Sequence, residues 1–408
     1  MALKISSKRT DSKFLVKSHE GLEDFSKKEE WEQTHRISLM NNQLSTLPET
    51  LDCRNLLTLL LQRNKYLTSI PEFFFKSMCR LQILDLHGTN IVVLPSSLSN
   101  LIYLKGLYLN SCSELKEIRS SVEALEHLEV LDIRKTKLKL LQIGSLVWLK
   151  CLRLSLCNFD VANYTQAQVS RFDLLEELTI DVDYLGLFVE ESPVWEGSLT
   201  FHFAVGYHDS AIAHVLESID NPSYNILKLA NGDGVNPIIM KVLTKTNALG
   251  LIGYKGVLSL SDFGIKNMNM IFDCLIEGCS GIKTIIYGNG TSKAVLEWLK
   301  NLHITNVPEL ENIWQGPVHV GSLARLTTVT LSNCPKLMKI FTNAMIQQLI
   351  QLTHLRVEEC HRIEEIIMES ENTQLENQAL PKLETLELIH LPQLTSIWAK
   401  DSLEWPSL

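Results

Sequence analysis

The stretch Leu81-Gln-Ile-Leu84-Asp-Leu86-His-Gly-Thr89-Asn-Ile91-Val-Val-Leu94-Pro95 decides how the rest of the chain is read. Its spacing is L-x-x-L-x-L-x-x-T-x-I-x-x-L-P. The step from Leu84 to Leu86 has period two, so on a short strand both side chains point to the same side. Thr89 closes the strand with a small hydrogen-bonding side chain, and Ile91 and Leu94 supply apolar residues for a return limb. A unit this short cannot bury its own apolar side, so the pattern requires neighbours of the same kind.

Those neighbours are present. A first copy reads Ile37/Leu39/Asn42, and the register recurs at Leu56/Leu59/Leu61/Asn64, Leu104/Leu107/Leu109/Cys112 and Leu128/Leu131/Ile133/Thr136. It continues at Leu149/Leu152/Leu154/Cys157 and Leu175/Leu178/Ile180/Asp183. Later copies are Ile271/Cys274/Ile276/Cys279, Leu299/Leu302/Ile304/Val307, Leu326/Val329/Leu331/Cys334, Leu352/Leu355/Val357/Cys360 and Leu383/Leu386/Leu388/Leu391. This is the leucine-rich-repeat template. It accounts for 69 leucines among 408 residues, about one in six.

The predicted fold is an α/β leucine-rich-repeat solenoid of about 12–15 coils. A curved parallel β-sheet lines its concave side, with short helices, 3-10 turns and loops on the convex side. Anchors from Asn42 to Asp183 are 22, 25, 23, 24, 21 and 26 residues apart, and those from Cys279 to Leu391 are 28, 27, 26 and 31 apart. Longer late coils imply wider return limbs there. Between the two sets, Phe201/Phe203, Leu227/Leu229 and Leu249/Leu251 are weaker candidate strands, with anchors at Gly206, Gly232 and Tyr254. The expected organisation is a charged N-terminal remnant or linker (1–33), regular repeats (34–183), irregular repeats or an insertion (184–270), and longer repeats incomplete at the C-terminus (271–408).

Composition narrows the function classes. With 38 Lys+Arg against 47 Asp+Glu, the formal charge is −9, which argues against nucleic acid as the main ligand. No apolar run approaches the length of a membrane span, and the N-terminus lacks a secretory h-region. Two glycosylation sequons, at Asn163 and Asn289, are read as chance matches. The nine cysteines are odd in number and not in CxxC pairs. Five of them (Cys112, Cys157, Cys279, Cys334, Cys360) occupy the anchor position, where a small side chain with a weak donor can satisfy a turn carbonyl. That favours free thiols in a reducing compartment over disulfides or a thiolate metal site.

Catalytic motifs fail one by one. Gly278-Cys-Ser-Gly-Ile-Lys-Thr284 lacks phosphate-loop spacing, and His361-Arg-Ile-Glu364-Glu365 lacks the second histidine of a zinc helix. With no nucleophile elbow and no spaced histidine cluster, the chain is expected to be no enzyme, with no metal and no cofactor.

What remains is surface. Residues between and just after the core leucines face the concave side, in rows about 4.8 Å apart. The candidate binding residues are Asp85, His87, Tyr108, Asn110, Asp132, Arg134, Arg153, His303, Arg356 and Glu358. Seven acids between Glu358 and Glu376, against Arg362 alone, form either a solvated loop or an acidic docking patch; the loop is favoured.

Further residues carry a family resemblance. Glu29-Glu-Trp31-Glu-Gln-Thr-His-Arg36-Ile37-Ser-Leu39-Met40-Asn-Asn42 resembles the approach to the repeat domain of plant intracellular immune receptors of the coiled-coil, nucleotide-binding, leucine-rich-repeat class. Ile276-Glu-Gly-Cys279 with Ile282-Lys-Thr-Ile285, Cys334-Pro-Lys-Leu337, and Leu391-Pro-Gln-Leu394-Thr-Ser-Ile-Trp398 are similar to the late repeats of that class. Met1-Ala-Leu-Lys-Ile5 resembles the helix that follows its nucleotide-binding module, and Leu403-Glu-Trp405-Pro-Ser-Leu408 looks like a repeat that does not complete. The chain is therefore expected to be a piece of such a receptor, cut before the nucleotide-binding module.

The resemblance implies a cytoplasmic or nucleocytoplasmic protein-recognition domain. Its partner would be a pathogen effector, a guarded host protein or the receptor's own switch module, and ATP or ADP would belong to that module alone. The alternative function is an F-box-like substrate adaptor for ubiquitin ligation, with ligase-binding helices within residues 1–36.

Overall fold

The structure is a computed structural model that describes residues 14–23, 31, 33–119, 122–138, 146–154, 174–180, 185, 201–206, 224–288, 293–368 and 380–398. Met1–Ile5, Cys157, Asn163, Asp183, Asn289, Glu369, Glu371, Glu376 and Leu403–Leu408 lie outside the described residues. The chain divides into two compact units, Met1–Phe201 and His202–Leu408.

In the first unit the strands Phe14–Val16, Arg36–Ser38, Thr58–Leu60, Ile83–Asp85, Gly106–Tyr108, Val130–Asp132, Cys151–Arg153 and Glu177–Ile180 lie parallel, side by side and in chain order. The second unit repeats the scheme with His202–Val205, Ile226–Ala230, Ala248–Ile252, Asp273–Glu277, Asn301–Thr305, Thr328–Ser332, His354–Glu358 and Thr385–Ile389. Each unit is thus a stretch of parallel-strand leucine-rich-repeat solenoid.

Register follows the leucines. Leu59, Leu84, Leu107, Leu131 and Leu152 form one inward row, all fully buried. Leu227, Leu249, Cys274, Leu302, Val329 and Leu355 form the matching row in the second unit. Every such side chain contributes about 1.5–3 kcal/mol by leaving water, and repetition rather than any single contact makes the core.

The weaker candidate strands are strands. One register shifts: Phe203 pairs with Leu227 and Val205 with Leu229, so the inward pair is Phe203/Val205 rather than Phe201/Phe203. Gly206 then falls beside Ala230, one residue past the inward Val205, instead of at the anchor. Its φ is +83, and a Cβ there would come within 2.0 Å of the Ala230 carbonyl oxygen, so only glycine fits.

One backbone feature recurs from coil to coil. The residue before the anchor is left-handed: Asn41, Arg63, Gly88, Ser111 and Lys135 in the first unit, and Asn231, Gly253, Gly278, Asn306, Asn333, Glu359 and His390 in the second. For a non-glycine residue this costs roughly 1–2 kcal/mol. Where the anchor is polar, its hydrogen bonds offset it. Asn64 Nδ2 donates to the Leu61 and Leu39 carbonyls (2.8 and 3.0 Å), and its Oδ1 accepts from the Leu44 amide at 3.3 Å. Thr89 Oγ1 donates to the Leu86 carbonyl at 2.8 Å. The anchor thiols do the same: Cys112 Sγ donates to Leu86 (3.0 Å) and Cys279 Sγ to Leu251 (3.4 Å).

The return limbs hold more β structure than turns and loops alone. Thr284–Tyr287 pairs in parallel with Asn312–Gln315, and Lys339–Thr342, Glu365–Met368 and Ser396–Trp398 form a short three-stranded sheet. The β-branched and aromatic content of Thr284-Ile-Ile-Tyr287 and Lys339-Ile-Phe-Thr342 favours this, and the longer late coils have the residues for it. A helix, Pro237–Leu243, has proline in its first turn and is capped by Asn236, whose side chain accepts from the Ile238 amide.

Candidate functional site

The outward positions of the strands form rows, as the register requires. In the first unit Asp85, Tyr108, Asp132 and Arg153 stand in one row on successive strands. His87, Asn110 and Arg134 follow in a parallel row just past the strand ends, where Gly88 N–H donates to the Asn110 carbonyl and Ser111 N–H to that of Arg134. Seven of the ten candidate residues therefore share one continuous patch.

Within that patch the charges are already paired. Arg134 grips Asp132 with two hydrogen bonds, at 2.9 and 2.6 Å, and Arg153 Nη1 approaches the same carboxylate at 3.4 Å. Arg153 also binds Glu177 through two bonds, at 2.6 and 3.0 Å. Asp132 is only 1% exposed beneath these guanidiniums. Burial works against the charged form of Glu177, but the hydrogen bonds and charge of Arg153 outweigh it and hold the carboxyl below its usual range.

Asp85 differs. Its side chain accepts from the His87 amide at 2.9 Å, and among the described residues no arginine or lysine forms a salt bridge with it. Burial, with a contribution from the like charge of Asp132, pushes its carboxyl above the ordinary value. Burial also raises the Tyr108 hydroxyl beside it.

In the second unit His303, Thr330 and Arg356 form one row, and Glu358 stands in another beside Ser332. Arg356 donates to Glu358 at 2.8 Å and also to Glu387. Burial lowers the His303 imidazole, against the pull of Asp273. Farther along this face the outward residues turn apolar. Ile226, Ala230, Ala248, Ile252 and Leu275 form a buried cluster with Tyr224 packed against it. The run Ala248-Leu-Gly-Leu-Ile252 is apolar on both faces, which the period-two reading of its inward leucines leaves out.

A second surface lies on the side of the first unit, in the turns leading into the strands. Trp148 and Tyr103 are 55% and 52% exposed there, with Ile102, Val147 and Leu174 also open. The residues had a legible sequence mark. Between core leucines, Leu101-Ile-Tyr-Leu104 and Leu146-Val-Trp-Leu149 carry apolar side chains where Leu125-Glu-His-Leu128 has polar ones. Attention to the strand face passes over them.

Comparison with known proteins agrees with the repeat reading. Residues 260–361 and 345–408 match the family described as plant disease resistance protein RPS2-like, leucine-rich repeats. The disease resistance protein UNI of Arabidopsis thaliana is 26% identical over 84% of this chain and 40% of its own length. A second Arabidopsis thaliana disease resistance protein is 39% identical over 32% of the chain and 13% of its own length. The chain spans less than half the length of these relatives. Among solved structures, the functional domain of InlJ from Listeria monocytogenes is similar with a TM-score of 0.44 and 15% identity, covering 87% of this chain and 68% of that one. The coils make this chain a leucine-rich-repeat region, and the sequence matches make it similar to the repeats of plant disease resistance proteins.

Proposed function

We propose that the chain is the protein-recognition region of a plant innate immune receptor and that it reads a pathogen effector or a guarded host protein through the outer strand face. The carrying observation is the match to disease resistance repeats over residues 260–408, joined to relatives of that name along most of the chain. The face suits the task. Short strands locked by backbone bonds hold Asp85, Tyr108 and their neighbours rigidly, so docking loses little ordering entropy. The reading assigns no catalytic group and no cofactor, and it leaves the receptor's own switch module as an intramolecular partner.

The charge balance says what a partner should bring. Arg134 and Arg153 are bonded to Asp132 and Glu177, which leaves Asp85 as the carboxylate a partner's cation can satisfy, with Tyr108 as its apolar neighbour. The test is co-precipitation of co-expressed candidate effectors and host proteins with the chain and with a Tyr108→Ala/Asp85→Ala variant shown to fold by circular dichroism. Loss of a specific partner in the variant is expected; undiminished capture would remove this face from the proposal.

A further inference from the structure

The side of the first unit carries a built pocket that the strand-face reading does not use. A cavity of about 260 Å³ is lined by Lys105, His127, Glu129, Trp148, Lys150 and Leu174. That is below the usual range for drug-sized ligands and suits one large side chain. Its charged residues are in register. Lys105, Glu129 and Lys150 are knitted by successive backbone bonds of 2.8–2.9 Å, which sets the lysines on alternate coils with the glutamate between them. His127 Nδ1 is tied to the Ile102 carbonyl at 3.1 Å, and its ring lies 5.8 Å from that of Tyr103.

The electrostatics select the occupant. Glu129 bonds both lysines, at 2.8 and 3.0 Å, and the two ammoniums hold its carboxyl below the ordinary value. One carboxylate cannot use the six N–H donors of two ammoniums. The lining side chains therefore carry one net positive charge and spare donors, with Glu176 next in the row beyond Lys150, in a chain whose formal charge is −9. Beside those donors stands an exposed indole, the side chain most often found at the centre of protein interfaces.

We propose that this edge is a docking site for an acidic protein segment, which inserts one large apolar side chain between Trp148, Leu174 and His127 and pairs a flanking carboxylate with Lys105 and Lys150. The site is distinct from the Asp85–Tyr108 face, so either assignment can fail without the other.

The probe is the blocked tripeptide Glu-Phe-Glu, set against Lys-Phe-Lys and against hexanoate. It is titrated into the full 408-residue chain carrying ¹⁵N-labelled tryptophan. Trp148→Phe identifies the Trp148 indole resonance, and because the ring is exposed the substitution leaves the core intact. Glu-Phe-Glu should shift that resonance saturably, while Lys-Phe-Lys should not. A Lys105→Ala/Lys150→Ala variant should bind about tenfold or more weakly, as expected for loss of charge-assisted bonds. Equal shifts from both peptides, or none, would overturn the charge assignment. A hexanoate response as strong as the peptide's would reassign the pocket to small organic acids. Self-association in sedimentation that is abolished by Trp148→Ala would reassign it to a second copy of the chain.

Discussion

The anchor residue is where a coil turns, and where it is polar its chemistry is much the same for asparagine, threonine and cysteine. Asparagine, threonine and cysteine all lie buried there and donate to carbonyls at the strand ends. Asparagine does most, since its amide both donates and accepts. Asn64 bridges two coils, binding Leu39 in one and Leu61 in its own. Asn64→Ala is expected to destabilise the first unit by about 2–4 kcal/mol, because the Leu61 carbonyl and Leu44 amide lose its side chain and the Leu39 carbonyl keeps only Asn42. Asn64→Thr should recover part of the loss through the Leu61 carbonyl. Urea unfolding followed by circular dichroism measures both; an alanine variant within about 0.5 kcal/mol of the parent would mean that water reaches the turn.

At the scale of the strand and its row, the inward half of each element was legible and the outward half was not. Period-two leucines fix which residues point inward, and they located strands even where the pattern thinned around Leu227 and Leu249. They misplaced the strand at His202–Val205 by two residues because Phe201, Phe203 and Val205 are all apolar and all buried. The return-limb strands were hidden because a two- to four-residue stretch has too few alternations to show a period. Outward residues carry no period at all. Their pairing of Asp132 with Arg134 and Arg153 depends on which coils are neighbours, a tertiary fact.

That pairing isolates Asp85 and gives it a measurable sign. Its carboxyl is raised in the folded unit, so the charged form opposes folding once pH exceeds the unfolded value. A raised carboxyl contributes stability below that value and loses it as pH rises through the folded one. Asp85→Asn, which keeps an acceptor for the His87 amide, should therefore raise the urea midpoint at pH 7. The advantage should vanish below about pH 4, where the parent carboxyl is protonated in both states. An asparagine variant less stable than the parent at pH 7 would show that an unseen cation satisfies Asp85. A residue that weakens its own fold is a reasonable one to find at a binding face.

For the molecule as a whole, length measures the number of coils. Each coil touches only its neighbours, so stability should be a sum of coil and nearest-neighbour terms rather than the property of one central core. The second unit offers a clean site for asking this. Leu331 is fully buried and sits in register between Ile304 and Val357. Leu331→Ala should cost about 2–4 kcal/mol through lost transfer energy and the cavity left behind. In a solenoid that loss stays local. Amide hydrogen exchange should quicken in Asn301–Thr305, Thr328–Ser332 and His354–Glu358, while Ile226–Ala230 and Ala248–Ile252 keep most of their protection. Equal loss across all eight strands would mean that the unit unfolds as one block. In that case the buried outward cluster around Ile226 and Leu275, not the stacking of coils alone, would be what ties it together.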